Sequence, residues 1–151
     1  MKNKRLTWLQ YFMSMANLAT QRSTCIRRQV GAVLVRDNHI LATGYNGAPK
    51  GITHCVDTED CIRQLLDVPS GERHELCRAV HAEQNAIVQA ACNGTSIKGA
   101  TLYTTTYPCS ICTKMLINAG IKEVIYDGEY PDPTSEEYFR EAEIPVRQYH
   151  E

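Results

Sequence analysis

His81 and Glu83 stand two residues apart in "AVHAEQNAI", and Cys109 and Cys112 stand three apart in "YPCSIC". One imidazole and two thiolates are a donor set that suits zinc. Three protein ligands leave the fourth tetrahedral position open to water, as catalytic rather than structural sites do. At the start of a helix, residues i and i+3 share a face, so Cys109 and Cys112 can aim at one point. Pro108 suits the first turn there because it has no amide to satisfy, and the helix N-terminus favours both thiolates. Residues two apart do not share a helix face. His81 is therefore expected in the entering turn, with Glu83 beyond it, able to approach a water without ligating the metal. Taken singly, the motifs have plainer readings: a hydrogen-bonded core histidine and a redox cysteine pair. Their joint spacing favours the metal.

The elements that must hold these groups follow from pattern. At 151 residues and 43% hydrophobic, the chain can build one domain with a substantial core. It shows no linker, repeat or low-complexity run. Leu9, Phe12, Met13, Ala16 and Ala19 recur at helical spacing behind a possible Thr7 cap. Gln10, Ser14 and Asn17 break that stretch too often for an export signal or a membrane span. "QVGAVLV" and "HILATGY" predict a hairpin over 29–45, followed by a glycine-rich loop. A polar, cysteine-bearing stretch at about 52–77 reads as an insertion, with one short helix near 58–66. Beyond it, helices are expected at 79–92, 109–119 and 134–142, with strands in "ATLYTTT", "KEVIYD" and 145–149. "GEYPDPTS" (128–135) carries no motif. The order predicts an α/β fold, a three-layer α/β/α sandwich whose mixed five-stranded sheet has helices on both faces.

A net charge of −1 supplies no basic field for a nucleic-acid polymer. With no export signal, a cytoplasmic location is expected. The seven cysteines should then stay reduced, so metal binding outranks disulfides. Cys25, Cys55, Cys61 and Cys77 could enclose a second, structural zinc that replaces core the insertion lacks, with His54 and His74 as alternative ligands. Equally, they read as small buried apolar residues. Cys92 reads as simple helix packing.

H-x-E followed by P-C-x-x-C is the zinc deaminase signature, and the chain resembles the cytidine and deoxycytidylate deaminase family along nearly its whole length. The deoxycytidylate (dCMP) branch is the nearest, on "RSTC", "VGAVLV", "GYNGAPKG", "HAEQNAI", "PCSIC" and the cysteine-bearing insertion. The resemblance implies a cytidine deaminase-like fold and zinc-dependent hydrolysis of dCMP to dUMP and ammonia, supplying thymidylate synthesis. Glu83 would carry protons between water, ring N3 and the departing amine. Asn46 would bind the sugar hydroxyl and the Ala82 amide the base carbonyl. Arg22, Ser23, Arg27 and Arg28 are available for the phosphate. The family further implies a homohexamer activated by dCTP with Mg2+ and inhibited by dTTP. Asn46, Gly47 and Lys50 of "GYNGAPKG" would then meet the effector. Neither a membrane nor a polymeric nucleic acid is an expected partner. The competing readings are deamination of cytidine, CMP or a tRNA base, and a zinc module without catalysis, which would require a fourth ligand instead of Glu83.

Overall fold

A computed structural model of the protein describes residues 4–128 and 131–151. Met1–Asn3 of the stretch read above as too broken for an export signal, and two residues of "GEYPDPTS", lie outside these. Helix α1 (Trp8–Thr20) begins at a reciprocal cap. The Gln10 amide donates to Thr7 Oγ1 at 3.1 Å, and the Thr7 amide donates to Gln10 Oε1 at 3.1 Å. Strands β1 (Gly31–Arg36) and β2 (His39–Tyr45) form the expected antiparallel hairpin. Its two turn residues, Asp37 and Asn38, both take positive φ (52° and 59°), the geometry whose twist matches the flanking strands.

Three short elements follow: α2 (Cys55–Thr58), α3 (Ile62–Leu65) and a 3-10 turn at His74–Leu76. The remainder alternates regularly through α4 (Ala82–Cys92), β3 (Thr101–Thr104), α5 (Ser110–Asn118), β4 (Glu123–Tyr126), α6 (Pro133–Glu141) and β5 (Val146–Gln148). The sheet order is β2-β1-β3-β4-β5. β1 pairs antiparallel with β3, whereas β3, β4 and β5 are parallel, as helical crossovers require.

Strand alternation divides the core between two faces. Val33, Val35, Tyr103 and Ile125 meet Phe12, Met13 and Ala16 of α1. Ala32, Leu34, Leu102 and Val124 meet Ala82, Ala86 and Ala90 of α4, Leu116 of α5 and Phe139 of α6. The mixed five-stranded sheet with helices on both faces is therefore as expected. Among the described residues no helix is long and apolar enough to cross a membrane.

Several boundaries differ from the sequence reading, each for a tertiary reason. The helix expected from residue 79 starts at Ala82, because Val80 is drawn into a bridge with Gly47. Gly47 N–H donates to Val80 O at 3.1 Å and Val80 N–H to Gly47 O at 2.8 Å. The helix expected from residue 109 starts at Ser110, with Cys109 as its cap, so Pro108 precedes the cap instead of opening the first turn. The helix expected near 58–66 is two separate turns, divided where Glu59 takes a left-handed φ of 56°.

Candidate metal and active site

Three chain segments converge at the N-termini of α4 and α5. His81 caps α4 with extended backbone (φ −68°, ψ 156°), so it stands outside the helix that follows. Its amide donates to Gln84 Oε1 at 2.8 Å, which fixes the entering turn. Its Nδ1 lies 3.4 Å from the Cys109 sulfur and 3.4 Å from the Cys112 sulfur. The three ligand atoms lie within 4.8 Å of one another, and no other such group of His, Cys, Asp or Glu occurs among the described residues. A tetrahedral zinc with a Zn–S bond of about 2.3 Å and a Zn–N bond of about 2.05 Å separates N from S by roughly 3.6 Å. The donor set and its spacing therefore fit zinc.

Glu83 is the second residue of α4 and only 2% exposed. The Thr104 hydroxyl donates to its Oε1 at 3.3 Å, and the Cys112 thiol to its Oε2 at 3.8 Å. The conflict between helix periodicity and the HxE spacing resolves here: His81 is outside the helix and Glu83 inside it.

Burial and mutual contact shift each titrating group of the cluster. The Cys109 thiol is lowered to about 3, first by the hydrogen bond from Cys112 and also by His81, against the opposing effect of burial. The same hydrogen bond, then burial and the nearby Glu83, push the Cys112 thiol up. The bond to Cys109 raises His81 despite burial. Burial raises Glu83, with its own amide and His81 opposing.

Glycines let the surrounding backbone come this close. A Cβ on Gly44 would sit 2.1 Å from the Ala82 carbonyl oxygen and 2.6 Å from the Ala86 nitrogen, so β2 lies directly on the first turns of α4. A Cβ on Gly47 would sit 2.5 Å from Thr24 Oγ1. Asn85 adds a bond from Nδ2 to the Tyr45 carbonyl at 2.7 Å.

The expected substrate-binding residues divide into two groups. Ser23 and Asn46 are brought together, yet largely engaged with one another and with the backbone. Asn46 Oδ1 accepts from Ser23 Oγ at 2.6 Å and from the Val30 amide at 2.9 Å, while Nδ2 donates to Arg28 O at 2.8 Å. One amide hydrogen of Asn46 remains for a ligand. Ala82 is fully buried as the first residue of α4, where its amide has no acceptor within the helix. Arg22 and Lys50 are exposed. Arg28 donates to Thr106 Oγ1 at 2.7 Å, tying "RSTCIRR" to the strand end before the cysteines.

Cys25, Cys55, Cys61 and Cys77 are neighbours, but their ligand atoms do not gather as tightly as those of the first cluster. Burial and the charges of Cys25, Cys61 and Cys77 push the Cys55 thiol up. Burial also acts upward on Cys61, but the Gln64 and Arg63 amides and the Arg27 side chain outweigh it and lower that thiol. The buried Nδ1 atoms of His54 and His74 have no hydrogen-bond partner among the described residues. The His74 ring meets the His81 ring edge-on, with centroids 5.1 Å apart.

Thr104 is the site residue that the sequence reading missed. It follows Leu102 on the core-facing side of β3 and is fully buried. A hydroxyl at a position that alternation assigns to the core was the available signal.

The model of the cytidine and deoxycytidylate deaminase zinc-binding region matches residues 6–127. The chain belongs to this family. Among its deaminase-family relatives, ComE operon protein 2 of Bacillus subtilis is 42% identical over 96% of this chain and 72% of that protein. The deoxycytidylate deaminase of Schizosaccharomyces pombe is 40% identical over 96% of this chain. This family member spans only 45% of the yeast protein's length. The structure of the dCMP deaminase from cyanophage S-TIM5 in complex with dCMP and dUMP is 33% identical, with a TM-score of 0.74. That similarity covers 92% of this deaminase-family chain and 94% of the phage chain.

Proposed function

We propose that this chain catalyses the hydrolytic deamination of dCMP to dUMP and ammonia. The observation that carries the reading is Glu83, a buried carboxylate aimed past Cys112 at the His81, Cys109 and Cys112 cluster. Support for the substrate comes from the relatives, deoxycytidylate deaminases at 40% identity, and from the phage structure with dCMP and dUMP.

His81 Nδ1 and the two cysteine sulfurs would hold zinc. Zinc bound there supplies Lewis acidity that brings the pKa of a water toward neutrality. Glu83 then takes the proton released as the water oxygen bonds to C4, and passes it to ring N3. It next takes the proton of the new C4 hydroxyl and delivers it to the amino group, so that the C4 carbonyl forms, the C4–N bond breaks and ammonia leaves. The Ala82 amide would donate to the base carbonyl, and the remaining Asn46 hydrogen to the sugar hydroxyl. Ser23, with Arg22, Arg27 and Arg28 nearby in sequence, supplies donors for the phosphate. A panel of dCMP, CMP, cytidine and a tRNA anticodon stem, assayed for ammonia, separates this reading from the other deaminase chemistries. The dCMP reading requires the highest kcat/KM on dCMP.

A second zinc in the insertion belongs to the same proposal, with ligands drawn from Cys25, Cys55, Cys61 and Cys77, and with His54 and His74 beside them. The insertion needs such a brace. It exposes Val56, Ile62, Leu65 and Leu66, and it holds the non-glycine residues Glu59, Asp67 and Arg73 at positive φ. Metal analysis of replete protein is expected to give about two zinc per chain, and Cys55→Ser to lower the melting temperature by several degrees with kcat little changed. One zinc per chain, with the four thiols freely titratable, would reject it.

The proposal extends to a cytoplasmic homohexamer under nucleotide control. Gly47 joins the loop 44–51 to Val80, the residue before His81, so an effector at Lys50 would pull on the catalytic turn. An effector acts only by binding one state better than another. dCTP with Mg2+ should lower the half-saturating dCMP concentration and dTTP raise it, with Lys50→Ala weakening both responses. A hyperbolic dCMP curve indifferent to either triphosphate at millimolar levels would remove regulation from the account.

A further inference from the structure

We infer that Thr104 is a positioning residue for Glu83: its hydroxyl holds one carboxylate oxygen so that the other faces the reacting centre. The inference rests on the deaminase reading and deepens it.

Thr104 Oγ1 lies 3.3 Å from Glu83 Oε1, and both side chains are buried, Thr104 at 0% exposure and Glu83 at 2%. The hydroxyl has a second neighbour that decides which way its proton points. The Thr106 amide, which can only donate, points at Thr104 Oγ1 at 3.5 Å. With an oxygen lone pair facing that amide, the Thr104 hydrogen is free to be directed at Glu83. Thr104 also sits at the last paired position of β3, opposite Ala32 on one side and Tyr126 on the other. Its backbone is therefore fixed by the sheet. Threonine at χ1 is stiff as well, so the donor is held by a rigid element rather than by a loop.

The consequence is an unequal carboxylate. Oε1 is held by Thr104, while Oε2 lies on the Cys112 side, 3.8 Å from that sulfur. A proton shuttle that serves water, N3 and amine in turn must present one oxygen along a short arc without swinging away between transfers. Packing alone does not require the hydroxyl, since valine has nearly the same shape; replacing Thr104 by valine removes the donor to Glu83 and the long acceptor contact to the Thr106 amide.

The test uses zinc-loaded full-length protein carrying Thr104→Val or Thr104→Ser. Thr104→Val is expected to keep its zinc and its dCMP KM within about twofold, and to lose roughly 10- to 100-fold in kcat. Thr104→Ser, which restores the donor, is expected to recover most of that loss. A crystal structure of zinc-loaded Thr104→Val should show the Glu83 carboxylate rotated or spread over more than one orientation, while His81, Cys109 and Cys112 stay in place. Wild-type kcat in a folded, zinc-replete Thr104→Val, or a kcat loss that serine fails to restore, would overturn the inference. Should the wild-type protein itself release no ammonia from dCMP, the deaminase reading fails first, and the Glu83 orientation in the two structures still decides the role of Thr104.

Discussion

Glu83→Gln should keep zinc at the His81 cluster and lower dCMP turnover by at least about 10³-fold, because one carboxylate is asked to carry every proton in the reaction. Glutamine matches glutamate in shape and can still receive the Thr104 hydrogen bond, so the loss isolates proton transfer from packing. Zinc analysis and single-turnover measurements on the same preparation check both halves. Turnover near the wild-type level would exclude Glu83 as the shuttle. The same substitution carries a stability signature in metal-stripped protein. Burial raises the Glu83 pKa in the fold above the 4.5 of an exposed glutamate. The stability it contributes as a neutral acid is therefore complete below about 4.5 and is lost as pH rises through the folded value. Glutamine has no charge to bury. Metal-free Glu83→Gln should consequently melt a few degrees above metal-free wild type at pH 7, with the gap closing toward pH 4. A gap that widens in acid would contradict the sign.

His81→Ala, Cys109→Ala and Cys112→Ala should each abolish both metal binding at this cluster and turnover. The three are not equivalent in stability. Cys112 and the surrounding Thr113 and Leu116 are fully buried, so Cys112→Ala removes core volume as well as a ligand. Cys109 is only partly buried. In metal-free protein, Cys112→Ala is therefore expected to melt lowest of the three. Metal content by mass spectrometry and melting with and without zinc measure these effects. A variant that kept its full zinc complement at this cluster would remove that residue from the ligand set. Chelation of wild-type protein should likewise stop turnover, with recovery on adding zinc back.

Much of this was legible because local and tertiary demands agree. The hairpin at Asp37–Asn38, the capped first helix and the alternation of Val33 and Val35 against Ala32 and Leu34 are each written in a few adjacent residues. The metal cluster was legible for a different reason: zinc needs particular atoms, and few sequences place them at these spacings by accident. What was not legible depends on distant partners. The start of α4 at Ala82 follows from the bridge between Val80 and Gly47, more than thirty residues away in sequence. Asn46 also braces its loop through Ser23, Val30 and Arg28, distant partners that no local pattern names, while keeping one amide hydrogen for the ligand contact that the family resemblance implies. In the insertion, polar composition and three cysteines gave no periodicity, so two isolated helical turns were read as one.

The central claim is that this chain adds water to the C4 position of dCMP. Zinc-loaded protein incubated with dCMP in H2(18)O, followed by mass spectrometry of the nucleotide and assay of ammonia, tests it most directly. The account predicts dUMP carrying one solvent oxygen and one ammonia released per dUMP formed. Unchanged dCMP after prolonged incubation with replete protein, or dUMP without the solvent label, would contradict it.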